Sequence, residues 1–88
     1  KASPIRKTLP MYPRSAQRRR QEGTVTMSVV ITADGRVTDI RVTSTDMPEA
    51  LIDAAVRAVR QWTYRPAVQN GRPVECRRDV DGKFQLDR

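Results

Sequence analysis

Residues 24–43, TVTMSVVITADGRVTDIRVT, decide the fold class. Val25, Met27, Val29 and Ile31 fall on one face of an extended segment and Thr24, Thr26 and Ser28 on the other, the signature of a half-buried strand. Ala33-Asp34-Gly35-Arg36 follows, and its Asp-Gly pair suits positive φ, so the chain reverses into a second strand over 36–43 with Ile40 and Val42 inward. Val37 is out of phase with Ile40, which calls for a bulge or a twist near the turn.

Downstream of this hairpin, Thr45-Asp46-Met47-Pro48-Glu49 reads as a helix start, with Asp46 as N-cap, Pro48 in the first turn and Glu49 closing a capping box. Leu51, Ile52, Ala55, Val56, Val59 and Trp62 recur at helical spacing and form a core stripe. Asp53, Arg57 and Arg60 face water, with Asp53 and Arg57 an i,i+4 pair. Arg65-Pro66 ends the regular structure and Asn70-Gly71 marks a tight turn. Residues 74–86 read as a third strand, its inward parity of Val74, Cys76, Val80, Phe84 and Leu86 interrupted by Arg78 and Gly82.

Upstream, three of the six prolines lie within the first thirteen residues, so 1–12 reads as the extended end of a proline-containing linker and 13–88 as the domain. From Pro13 a short helix is expected, closed by Gly23 in the left-handed position, with Arg18, Arg19 and Arg20 at its C-terminal end. The order helix, strand, strand, helix, strand gives an α+β fold, a two-layer α/β sandwich. Its three-stranded, antiparallel-containing sheet has the order 2-1-3, with the helices on one face. The third strand is then an edge, whose unpaired backbone groups can accept a peptide as an added strand.

Composition bounds the function. Eighty-eight residues allow one small domain, which buries only about 60–65% of its unfolded surface and excludes a large enzyme architecture. Of the net charge of +7, most sits in residues 1–23, where seven cations face Glu22 alone. Such an arm suits nucleic acid, anionic lipid or an acidic surface, or simply keeps the domain solvated. The Arg18 to Arg20 run has a structural explanation too, since cations at a helix C-terminus gain about 0.3–1 kcal/mol each.

With one cysteine and no histidine, there is no internal disulfide, no zinc site of the usual type and no imidazole-based catalysis. Asp79-Val80-Asp81-Gly82 resembles the start of a calcium loop but lacks the further ligands, and Ser44-Thr45-Asp46 lacks a base. The chain reads as no enzyme, with no cofactor and no metal. Trp62 and Tyr64 read as packing residues; Tyr12 either docks on the sheet or contacts a ligand. No apolar run approaches the roughly 18 residues that span a bilayer, and the first residue, Lys1, suggests a piece of a longer chain.

Several landmarks in order resemble the C-terminal domain of the TonB family of periplasmic energy transducers. They are Tyr12-Pro13 with Ala16, Glu22-Gly23 before the alternating strand, Asp34-Gly35-Arg36-Val37, Arg60-Gln61-Trp62-Thr63-Tyr64-Arg65-Pro66, Gly71-Arg72-Pro73-Val74 and Phe84-Gln85-Leu86, spread over residues 9–86. The resemblance implies a periplasmic domain tied to the inner membrane by an N-terminal anchor outside this chain. It implies binding of the TonB box, a short extended peptide of outer-membrane receptors, by strand addition. Force from an inner-membrane proton-driven complex would then drive uptake of cargo such as iron-siderophores. By position, the resemblance implies peptide contacts at Leu9, Met11 and Tyr12 and along Val80, Asp81, Gly82, Lys83, Phe84, Gln85 and Leu86. Arg14, Arg18, Arg19 and Arg20 are candidate electrostatic contacts to the receptor. Two readings compete: a small basic nucleic-acid-binding module using the same arginines, and a structural envelope domain docking through the basic arm. An open edge also permits a homodimer.

Overall fold

The computed structural model describes residues 2–86. They run as β1 (Ser3–Arg6), α1 (Arg14–Arg18), β2 (Gly23–Ile31), β3 (Val37–Ser44), α2 (Glu49–Arg60), β4 (Thr63–Arg65), β5 (Ala67–Gln69), β6 (Arg72–Val74) and β7 (Cys76–Phe84). The alternating stretch is the centre of the molecule. β2 pairs with β3 on one side and β7 on the other, both antiparallel, in the order β3-β2-β7. Numbered as the three strands read from the sequence, this is 2-1-3. Val25, Met27, Val29 and Ile31 are completely buried in one cluster with Leu51, Ala55 and Val59 of α2. Each of the larger of these side chains, Val, Met, Ile and Leu, contributes about 1.5–3 kcal/mol by leaving water. Ala16 of α1 joins the same cluster, so both helices lie on the same face.

Arg78 and Gly82 do not interrupt β7. Its ladder with β2 runs without a break through nine pairs, from Gly23↔Phe84 to Ile31↔Cys76. Gly82 is there because α2 comes close: a Cβ on it would sit 2.8 Å from the Ala55 Cβ. Val74, read as the start of this strand, belongs to β6, which pairs with β5 around the Asn70-Gly71 turn, both residues at positive φ.

The second strand differs from its reading at both ends. Val37 is the buried residue, Ile40 is half-buried against the core, and Val42 is 41% exposed. The anticipated bulge explains this: the register slips between Ser28 and Val30, where Asp39 takes φ 47°, and again between Thr26 and Met27. Asp39 pins the bulge. It accepts from Arg41 Nε at 3.3 Å and from Arg77 of β7, whose other guanidinium nitrogen reaches Ser28 Oγ at 2.8 Å.

Both helix caps also differ. α1 ends in a Schellman turn in which Arg20, not Gly23, is the left-handed residue at φ 54°, with Gln21 N–H bonding Ala16 O and Arg20 N–H bonding Gln17 O, each at 3.0 Å. α2 has Pro48 at its N-cap position with no side-chain cap, so Asp46 caps nothing. Thr45 Oγ1 instead accepts the Met47 N–H at 3.0 Å. The i,i+4 pair of Asp53 and Arg57 forms no ion pair among the described residues.

Residues 2–12, read as linker, lie against the body. β1 pairs antiparallel with β4, and Ala2 is buried. Pairing between segments sixty residues apart leaves no local mark in either.

Two outcomes follow from the turns and the bulge. Gly35 sits at φ 86° with the Tyr64 carbonyl oxygen 2.1 Å from where its Cβ would be, whereas Gly71 at φ 76° has open space. In urea denaturation Gly35→Ala should cost about 2–4 kcal/mol and Gly71→Ala only about 1 kcal/mol. Arg77 holds the Asp39 carboxyl below the usual carboxylate range against some desolvation, and Arg41 adds to the effect. A depressed folded-state value stabilises fully above the unfolded value and is lost as pH falls through the folded one. Asp39→Asn should therefore flatten the acid limb of the stability profile below about pH 4.

Candidate functional site

The main sheet has two edges with different geometry. β3 is distorted by two register shifts and a positive-φ residue, features that prevent a further strand from pairing along it. β7 is regular over nine residues, and none of the other described strands pairs with its outer side. Along β7, Val80, Gly82 and Phe84 point into the core while Asp79, Asp81 and Lys83 face solvent. What the edge offers a partner is backbone, flanked by charges of both signs.

Beside this edge runs the chain's own N-terminal segment. Residues 7–10 form one wall of a groove of about 370 Å³, residues 78–81 and Lys83 the other, with Trp62 between them. Three contacts hold the wall. Trp62 Nε1–H donates to the Thr8 carbonyl at 2.8 Å, Thr8 Oγ1–H donates to the Ala58 carbonyl at 3.3 Å, and Lys7 Nζ lies 4.9 Å from the Trp62 ring centre. At the far end Arg78 donates to the Ala2 carbonyl at 2.5 Å and stacks 5.6 Å from the Tyr64 ring. Burial pushes the Tyr64 phenol pKa up, and Arg78 partly opposes it. Among the described residues the buried Tyr64 hydroxyl has no hydrogen bond of regular geometry, with Arg78 its nearby polar neighbour.

The residues singled out in the sequence fall into distinct settings. Leu9 and Met11 are 90% and 80% exposed, and Leu9 lies on the groove wall. Tyr12 is held in place: its ring meets Phe84 edge-on at 5.3 Å, its hydroxyl donates to the Gln21 carbonyl, and its own carbonyl accepts from Gln17 Nε2 at 2.8 Å. Burial, with the Glu22 charge nearby, raises its pKa. Gln85 and Leu86 lie past the end of β7, where the Leu86 N–H is bonded to Glu22 Oε1 at 2.8 Å, so the regular edge stops at Phe84. Arg14, Arg18, Arg19 and Arg20 are exposed on and just after α1 and do not line the groove. Among the described residues no cluster could hold a metal, and no helix is long and apolar enough to cross a membrane.

Residues 8–86 match the family model described as Gram-negative bacterial TonB protein C-terminal. The chain belongs to this TonB C-terminal family. Protein TonB of Pseudomonas aeruginosa is 42% identical over 72 residues, covering 81% of this chain and 21% of that protein. Protein TonB of Vibrio cholerae is 35% identical over 78 residues, 89% of this chain and 32% of that protein. The solution NMR structure of the Pseudomonas aeruginosa TonB CTD superposes with a TM-score of 0.81 at 31% identity, covering 99% of this chain and 88% of that one. The chain thus spans about a fifth to a third of the length of these curated relatives.

Within this TonB C-terminal fold, sequence reading missed Lys7, Thr8, Pro10, Trp62 and Arg78 as groove residues. Trp62 was legible as a packing residue, and it does pack, but its indole N–H serves a carbonyl 54 positions away. Arg78 looked like a break in a strand because its partners, Ala2 and Tyr64, are also distant in sequence. Tyr12→Phe deletes only the phenol bond to Gln21 and should cost about 1 kcal/mol in urea denaturation. Tyr12→Ala also deletes the contact with Phe84 and should cost about 2–4 kcal/mol.

Proposed function

We propose that this domain binds the TonB box of outer-membrane receptors by adding it as a strand to the outer edge of β7. It then transmits force from a proton-driven inner-membrane complex for active uptake of cargo such as iron-siderophores. On this reading it works in the periplasm, joined to an inner-membrane anchor outside this chain, with residues 1–12 at the end of the linker. The observation that carries the reading is the contrast of the two edges: β3 is bulged, while β7 is straight, unpaired and bordered by a groove. Membership of the TonB family favours a peptide over nucleic acid as the ligand.

Strand addition suits a force-bearing joint. The peptide is gripped by several backbone hydrogen bonds to residues 80–84, each worth about 0.5–1.5 kcal/mol net, and load applied along the strands is shared among them in shear. Leu9 would cover the peptide from the groove wall with Met11 beyond it, and Tyr12 would hold Phe84, the last edge residue, in position. The exposed arginines on and just after α1, which do not line the groove, would steer the domain toward acidic receptor surfaces. The same edge admits a second copy of the chain, which would compete with peptide.

A receptor-derived TonB-box peptide should shift the NMR amide signals of residues 80–84. An added strand directs only alternate N–H groups at its neighbour. Peptides N-methylated at even positions and at odd positions should therefore differ sharply, one set losing binding and the other keeping it. Equal effects of the two sets, or shifts confined to residues outside β7, would rule out strand addition.

A further inference from the structure

The N-terminal segment that walls the groove is fastened quite differently from the sheet beside it. All four residues of β1 are exposed, and its ladder with β4 has only three pairs with an irregularity between Pro4 and Arg6. Ala2, just before β1, is the one buried apolar residue of residues 2–10; Ile5 is 62% exposed. The remaining fastenings are the polar contacts of Lys7, Thr8 and the Ala2 carbonyl. The sheet it borders has nine unbroken pairs and a core of fully buried side chains. An element with few buried contacts and exposed hydrogen bonds opens well below the free energy of global unfolding.

The fastening also sets where the groove stops. Its β7 side begins at Arg78, the residue that ties the Ala2 carbonyl; Cys76 and Arg77, the first two strand residues, do not line it. A strand laid along β7 would run from Phe84 toward Arg78 and meet the tied segment there.

We propose that residues 2–10 are a strap, a movable wall of the peptide groove whose tie at Arg78 limits how much of β7 a peptide can pair with. Tension entering from the N-terminal side peels the strap from β4 before it disturbs the sheet. Release frees the edge from Arg78 to Cys76, so a pulled domain holds its peptide over a longer ladder than an idle one. This rests on the strand-addition reading for the ligand, but not for the strap's own opening.

Ser3 and Arg65 are exposed cross-strand partners, so Ser3→Cys with Arg65→Cys in a Cys76→Ser background gives a disulfide lock, and Ser3→Pro with Arg6→Pro takes the backbone N–H from two of the three ladder positions of β1 without touching the core. In single-molecule pulling on the full chain, the reduced protein should show an early step of up to about 30 Å, the extended length of the nine strap residues. The oxidised lock should abolish the step and reductant should restore it. With a TonB-box peptide bound, hydrogen exchange should show protection stopping near Arg78 in the lock and reaching Cys76 or its replacement serine in the double-proline variant. Opening in a single event, a step that survives oxidation, or the same protection boundary in both variants overturns the strap. If the peptide protects no β7 amide in either variant, the strand-addition reading falls and the pulling step alone decides the strap.

Discussion

The close approach of α2 to the sheet at Gly82 is the constraint on which the rest of the structure depends. Ala55 and Gly82 together leave room for the helix to lie directly on β2 and β7, and any side chain at position 82 would push it away. That contact lets Val25, Met27, Val29 and Ile31 be covered completely in a chain with only four aromatic residues. It also keeps β7 flat against β2 over nine pairs, with an edge free of bulges. The packing of the core and the shape of the exposed edge are consequences of the same missing Cβ.

The two sheet edges divide the work. On β3, the bulge at Asp39, held across the solvent face by Arg77 and Arg41, twists the edge out of a pairing geometry. Two regular edges invite open-ended pairing between copies, and a single regular edge limits it. The charges on β7, Asp79 and Asp81 among Arg77 and Lys83, discourage indiscriminate pairing while leaving the backbone groups available.

The basic charge takes on a different place in this picture. The arginines of α1 are exposed and do not line the groove, whose cations are Lys7, Arg78 and Lys83. Lys7 and Arg78 are both spent on internal contacts, over Trp62 and Tyr64, which fasten the N-terminal segment to the body. Part of what looked in the sequence like a surplus of charge for an outside partner is structural.

What the sequence determined by itself was the periodicity of its elements and the chemistry of its turns. The alternation of residues 24–31, the Asp34-Gly35 reversal, the helical stripe from Leu51 to Trp62 and the family landmarks could all be read directly, because periodicity and turn chemistry are local; of the seven strands among the described residues, only the three of the main sheet were read. Even the bulge in the second strand was announced by the phase conflict of Val37 and Ile40, though only the fold located it at Asp39 and buried Val37. The caps, although local, departed from the reading, with Arg20 and Pro48 in the positions expected of Gly23 and Asp46. Tertiary structure alone decided the docking of residues 2–12 and the groove they wall. Those features join β1 to β4, Trp62 to Thr8 and Arg78 to Ala2 across more than fifty residues, and contacts formed at such separation are selected by the shape of the whole chain rather than by any pattern within it.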